Sequence, residues 1–194
     1  MIRKLCREDI DCVSDIHLAE FRNSFFCLLG KDFLRELYDG VIRLGTVQAY
    51  VAEEDGVIVG FVVGTTEPDR FFGKLLRSKL PTFSVILAGK AFSNPKVMFY
   101  GLQTLLYPYK ANVGADAELL SVAVSRGCRH KGVGKALVEK LCDALIKQSA
   151  RNIKVIVDED NLPANSLYGK LGFTLVKTVT LYGKKMNVHM RSLA

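Results

Sequence analysis

Apolar positions at three- and four-residue spacing mark two helices early in the chain. One carries Ile10, Val13, Ile16, His17 and Phe21; a second, from Lys31 to Arg43, carries Phe33, Leu34, Leu37, Tyr38 and Val41. A short strand over residues 1–6 precedes them. Two β-branched runs follow, Val47–Ala52 and Val57–Val63, and Glu53-Glu54-Asp55-Gly56 between them predicts a hairpin turn. Pro68, Pro81, Pro95 and Pro108 cut the next stretch into pieces of helical length. Ala117–Val124 is a largely apolar run, as expected of a buried strand. From about Lys131 to Ser149, Val133, Leu137, Val138, Leu141, Leu145 and Ile146 repeat with a helical period. Ile153–Val157 reads as another buried strand. Asn161-Leu162-Pro163 opens a short helix that Gly172 closes, and strands over Phe173–Leu181 and Met186–Met190 finish the chain. The interleaving of strands and helices predicts an α/β (α+β) fold, one domain over 1–194 with a helical insertion at about 68–113.

Charge changes this picture at one place. The net charge is +7, and the stretch from Arg70 to Asn112 holds Arg70, Lys74, Arg77, Lys79, Lys90, Lys96 and Lys110 with no Asp or Glu, so the rest of the chain is neutral. Phe71, Phe72, Phe83, Phe92, Phe99, Tyr100, Tyr107 and Tyr109 fall in the same stretch. Such a segment is either a pair of amphipathic helices with solvated lysines or a surface for something anionic, a substrate or a membrane. No recognised nucleic-acid motif accompanies the charge, so no nucleic-acid partner is expected. Cys6, Cys12, Cys27, Cys128 and Cys142 form no CxxC pair and have no histidine at ligand spacing. Reduced thiols, no metal and a cytoplasmic location are expected. No apolar run approaches the roughly 20 residues of a membrane span, and the N-terminus lacks the apolar core of a signal peptide.

The chemistry-bearing stretch is Ser121-Val122-Ala123-Val124-Ser125-Arg126-Gly127-Cys128-Arg129-His130-Lys131-Gly132-Val133-Gly134-Lys135-Ala136-Leu137. A buried strand runs into a basic, glycine-bearing turn that opens a helix. Glycines at 132 and 134 admit an anion close to the backbone, and the orphan amides and dipole of the first helical turn attract it. A Walker loop is excluded, because Arg129 stands where its first glycine belongs and Ala136 where Ser or Thr would bind magnesium. A dinucleotide fingerprint beginning at Gly132 fails at Leu137. The pattern Arg/Gln-x-x-Gly-x-Gly/Ala is matched in full by Arg129 to Gly134.

This turn, the strand Ala117–Val124 before it and the segment Asn161-(x)6-Tyr168-(x)3-Gly172-Phe173 after it resemble the GNAT superfamily of acetyl-CoA-dependent N-acetyltransferases. The resemblance implies a GNAT fold: a central mixed sheet, flanked by helices, that splays open after residues 117–124. Pantetheine would lie along Val122, Ala123 and Val124, with backbone hydrogen bonds at Val122 and Val124. Pyrophosphate would sit on the amides of Arg129, His130, Lys131, Gly132, Val133, Gly134 and Lys135. Asn161, with Asn165 in the same segment, would hold the cofactor arm. Acetyl-CoA is then the cosubstrate, with no metal.

The resemblance also implies two catalytic groups. Tyr168 takes the place of the general acid that protonates the CoA sulfur, and Glu118 the strand position of the general base in histone-acetylating members; Asp158 and Glu159 are alternatives. The acceptor is an amine, and the basic insertion suggests an anionic or carrier-linked one, such as a nucleotide-linked amino sugar. A peptide amine, or a non-catalytic acetyl-CoA-binding module, are the competing readings. The resemblance admits a homodimer.

Overall fold

The computed structural model describes residues 1–193 apart from Asn23 and Pro95, and the side chains at 91–93 and 105–109 lie outside that description. The chain forms β1 (Ile2–Lys4), α1 (Ile10–Glu20), α2 (Phe25–Leu29), α3 (Lys31–Arg43), β2 (Val47–Glu54), β3 (Val57–Thr65), α4 (Phe71–Ser93), α5 (Lys96–Lys110), β4 (Ala117–Val124), α6 (Val133–Ile146), β5 (Asn152–Asp158), α7 (Leu162–Lys170), β6 (Thr174–Leu181) and β7 (Lys184–Ser192). The strands make one mixed sheet in the order β1-β2-β3-β4-β5-β7-β6, in which only β4 and β5 run parallel.

Each face of the sheet carries its own core. On one, α1, α3 and the inner sides of α4 and α5 bury Val13, Phe33, Leu34, Leu37, Phe71, Leu75, Phe83 and Val97 against Val51, Phe61 and Val63. On the other, α6 presents Leu137, Val138, Leu141 and Leu145, all fully buried, to Val62, Leu119, Ile153 and Val155. Burying each such side chain contributes about 1.5–3 kcal/mol. Helix α6 lies so close to β3 that a Cβ on Gly64 would stand 2.7 Å from a Leu141 methyl. The β2–β3 hairpin closes as expected, with Asp55 (φ 50°) and Gly56 (φ 77°) both left-handed, the geometry that matches strand twist.

Two elements depart from expectation. Pro108 does not end a helix, because α5 runs on to Lys110; Pro81 divides its segment as expected, since α4 is two helical pieces meeting at a kink where Lys79 (φ −126°, ψ 18°) is non-helical. Proline removes one intrahelical donor and crowds the preceding turn, which places the break there, and Lys79 Nζ, 2.7 Å from Glu36 and 2.6 Å from Asp39 on α3, ties the kink to that helix. The second departure is α2, which the periodicity of the chain does not predict. Its five residues are all apolar or cysteine, and Ser24 caps it by accepting from the Cys27 amide.

Candidate active site

The site starts from an interrupted seam in the sheet. Strands β4 and β5 are in register only at Ala117–Ile153, Glu118–Lys154 and Leu119–Val155. Beyond Leu119, β4 continues with β3, where Ser121, Val122, Ala123 and Val124 pair with Val63, Val62, Phe61 and Gly60. Strand β5 meanwhile continues with β7, where Ile156, Val157 and Asp158 pair with Val188, Asn187 and Met186. A bulge at Leu120, between the Leu119–Gly64 and Ser121–Val63 pairs, turns the outer half of β4 away from β5. The splay expected from the sequence is therefore present. It leaves one edge of β4 over Leu120–Val124 without a neighbouring strand, and such an edge can bond an extended ligand carrying amides.

At the end of that edge lies the glycine turn. The chain makes one 3-10 turn over Arg126–Cys128, then places His130 (φ 63°) and Gly132 (φ 82°) in the left-handed region before α6 begins. No side chain caps α6, so the amides of Val133, Gly134 and Lys135 have no acceptor within the helix. Gly134 is the informative residue. Its φ is ordinary, and a Cβ there would meet Leu167 and Val124 at 3.7 Å, an unstrained distance. Neither backbone strain nor packing requires glycine at 134. Close approach from outside the helix remains as its use, so the turn fits a pyrophosphate.

The charges around the turn are arranged differently from expectation. The Arg129 guanidinium donates to the Val124 carbonyl at 3.1 Å and is ion-paired with Glu20 at the end of α1, whose side chain is buried. Arg129 thus ties the turn to α1 and β4, and its charge is not directed at an anion. Lys131 lies 3.9 Å from Glu54 and Lys135 3.7 Å from Glu139, with all four side chains well exposed. Exposed pairs of this kind are worth less than about 1 kcal/mol, so both ammonium groups are available to a phosphate.

On the far side of the opening, α7 is built by two asparagines. Asn161 caps the helix by accepting from the Ala164 amide at 3.3 Å. Asn165 donates to the carbonyls of Asp158, Glu159 and Asn161 and accepts from Asn187 Nδ2 and His189 Nε2. Its amide is fully occupied by the protein, so Asn165 positions the β5–α7 loop rather than contacting a cofactor directly. Because its oxygen can only accept, His189 carries its proton on Nε2. Burial holds the His189 imidazole below its ordinary pKa.

Tyr168 is 4% exposed, packed edge-on against Phe173 with ring centres 5.5 Å apart. Burial pushes its phenol well above the ordinary tyrosine range, so it stays protonated at neutral pH, as a proton donor must.

Glu118 requires a correction. Its side chain is 1% exposed and its Oε2 lies 3.4 Å from Nζ of Lys154, itself 2% exposed and donating to the Ala111 carbonyl at 3.1 Å. The pair sits in the closed half of the seam, where it joins β4 to β5. A general base at Glu118 would have to leave that pair. Of the alternatives, Asp158 pairs with Lys184 at 2.6 Å, whereas Glu159, 4.0 Å from Lys185 with both side chains exposed, is as available as Lys131 and Lys135.

The insertion packs beside the opening. Phe25 of α2 stacks on Tyr182 in the β6–β7 turn, and Tyr100 of α5 meets both rings edge-on. Tyr182 is locked to α5 by its hydroxyl at 2.8 Å from Thr104 and by its amide donating to Gln103 at 2.6 Å. Lys74 is paired with Glu67, and Lys79 with Glu36 and Asp39, so two of the cations expected to attract an anionic acceptor are bound within the protein. The side chains of Phe92, Tyr107 and Tyr109 lie outside the described residues.

Behind β4, a buried polar pair escaped the sequence reading. The Tyr38 hydroxyl, beside Ser121, shares a 2.6 Å hydrogen bond with His17 Nδ1, and burial pushes the His17 pKa down to about 4.

Comparison with known proteins agrees with this geometry. A Staphylococcus aureus N-acetyltransferase superposes with a TM-score of 0.66 at 17% identity, covering 100% of this chain and 98% of that one. A Salmonella typhimurium protein assigned as an acetyltransferase, solved with its cofactor acetyl-CoA, gives 0.65 at 16% identity, covering 100% and 94%. A mycothiol acetyltransferase from Renibacterium salmoninarum is 35% identical over 79 residues, which is 41% of this chain and 23% of that protein. The match thus spans less than a quarter of that relative's length. The acetyltransferase (GNAT) family model matches residues 13–173, and the chain belongs to the GNAT family of acetyltransferases.

Proposed function

We propose that this chain is an acetyl-CoA-dependent N-acetyltransferase acting by direct attack of a primary amine, with 1–194 working as one transferase domain. One observation carries the reading: the unpaired edge of β4 leads straight into the left-handed turn and the uncapped N-terminus of α6. That is an amide-binding edge followed by an anion site, the order of groups along pantetheine and pyrophosphate.

Acetyl-CoA supplies the activated acetyl thioester. Val122 and Val124, whose backbone groups face the free edge, bind its arm, and Ala123 between them is paired with Phe61 of β3. The amides from Arg129 to Lys135 hold the pyrophosphate, and Lys131 and Lys135 swing to it. Asn161 offers the arm its side-chain NH2, its oxygen being used in the cap. Tyr168, kept protonated by burial, donates to the departing thiolate. An alkylammonium near pKa 10.4 is only about one part in 10³ neutral at pH 7, so its proton must leave first. With Glu118 and Asp158 ion-paired, that proton goes to water at the cleft mouth or to the exposed Glu159.

The acceptor would enter beside Phe25, Tyr100 and Tyr182. The name of the Renibacterium relative puts mycothiol-type acceptors first in a screen, ahead of nucleotide-linked amino sugars and peptide amines. The ion-paired state of Glu118 and Asp158 favours one second reading, a non-catalytic acetyl-CoA-binding module. Release of free thiol with an acceptor separates the two.

The deciding experiment is thermal denaturation with and without acetyl-CoA. At a hundredfold excess over Kd the ligand stabilises by about 2.7 kcal/mol, roughly 5–10 °C at this size. Gly134→Glu should lose that shift and keep its own melting temperature. Absence of a shift in the unsubstituted chain at about millimolar ligand overturns the reading.

A further inference from the structure

The insertion has an outer side that neither core uses. The inner side of α4 and α5 buries Phe71, Leu75, Phe83 and Val97. The outer side exposes Leu80, Val85, Met98, Phe99 and Leu102, with Val85 at 74% and Phe99 at 60%. In α5, Met98, Phe99 and Leu102 follow helical spacing on the face opposite Val97 and Thr104, so they form a stripe rather than scattered positions. Large apolar side chains grouped in this way on a surface mark an interaction site.

The charge pattern selects what it meets. Arg77, Lys96 and Lys110 are exposed on the same two helices, and no carboxylate pairs with them among the described residues. Between Asp69 and Asp116 the sequence contains no acidic residue, so nothing on the insertion opposes an anionic surface. A second copy of this chain would bring the same positive charge to the contact and be repelled. No helix among the described residues is long and apolar enough to cross a membrane. Apolar stripe, cationic flanks and no spanning segment are together the properties of a helix pair that lies in the plane of a lipid interface.

We propose that the outer face of the α4–α5 hairpin docks this protein on an anionic phospholipid bilayer, with Phe99 and Leu102 entering the acyl boundary and Arg77, Lys96 and Lys110 facing the headgroups. The proposal goes beyond the transferase reading and does not depend on it.

The test is cosedimentation of the 194-residue chain with vesicles of phosphatidylcholine containing about 30% phosphatidylserine, and with pure phosphatidylcholine vesicles. Binding is expected to the anionic vesicles and to be at least tenfold weaker on the neutral ones. Each basic residue near such a surface strengthens binding about fivefold, so Lys96→Ser with Lys110→Ser should weaken it more than tenfold. Phe99→Ser with Leu102→Ser should abolish it. All four side chains avoid the core, and circular dichroism melts of both variants verify folding; should one variant fail to fold, the other decides. Absence of binding to anionic vesicles, or binding that survives a folded variant, overturns the proposal. So does a dimer seen by light scattering that the Phe99 and Leu102 substitutions dissociate, since the face would then join two copies of this chain.

Discussion

Strand β4 meets its neighbour β5 in two contrasting ways. Over Ala117–Leu119 the strands are zipped, and the charged residues of that stretch, Glu118 and Lys154, face each other buried at 3.4 Å. Over Leu120–Val124 they part, and the polar group standing behind β4 is the neutral His17–Tyr38 pair. The closed half can hold buried charge because each charge has its counter-ion; the open half is backed by the uncharged His17–Tyr38 pair and meets charge only at its end, where Arg129, paired with Glu20, takes the Val124 carbonyl. The bulge at Leu120 divides the zipped half of the strand from the half with a free edge.

The largest test addresses the zipped half. Glu118→Gln leaves the Lys154 ammonium buried without its counter-ion, which costs about 3–5 kcal/mol and should lower the melting temperature by roughly 10 °C. Adding Lys154→Met should recover most of that loss. A Glu118→Gln protein that melts normally but turns over slowly would instead restore the carboxylate to the role of general base.

Acid probes the support behind the open half. The His17 pKa is depressed to about 4 in the folded protein against about 6.5 unfolded. The unfolded chain therefore binds the proton more readily. The contribution, about 3 kcal/mol, is complete above pH 6.5 and is lost as pH falls to about 4. His17→Gln should flatten the stability profile over that window, whereas an unchanged profile would mean His17 is reached by solvent. Asp9, held down to about 2 by Arg3, adds acid sensitivity only below about pH 4, outside the His17 window.

The smallest expected effect sharpens the chemistry at the opening itself. Tyr168→Phe should reduce turnover about 10²-fold, the lower end for a general acid, with acetyl-CoA affinity and melting temperature nearly kept. Unchanged turnover would reduce Tyr168 to a packing residue against Phe173.

Elements whose signal is local were legible in the chain. The helix Lys31–Arg43 and the strand Ala117–Val124 have the bounds their hydrophobic pattern implies. The turn at Arg129–Gly134 was legible because glycine and a helix start carry their own backbone preferences. The docking of the α4 kink on α3 was not legible. It depends on Lys79 reaching Glu36 and Asp39, which are 43 and 40 residues away. Helix α2 was hidden because five apolar residues have no period to read.

The same division runs through the site. By itself the amino-acid sequence determined the glycine turn, the strand that leads to it and the segment that carries Tyr168, since each is written in neighbouring residues through helix period, strand pattern and turn chemistry. Tertiary structure alone decided which charges remain available to a ligand. Arg129 is bound to Glu20 from 109 residues away, Glu118 to Lys154 across the seam, and Asn165 to His189 across two strands. Nothing local selects those partners. They meet because the burial of two apolar cores fixes the sheet order, and the sheet order then brings distant ionisable and polar groups within hydrogen-bonding reach.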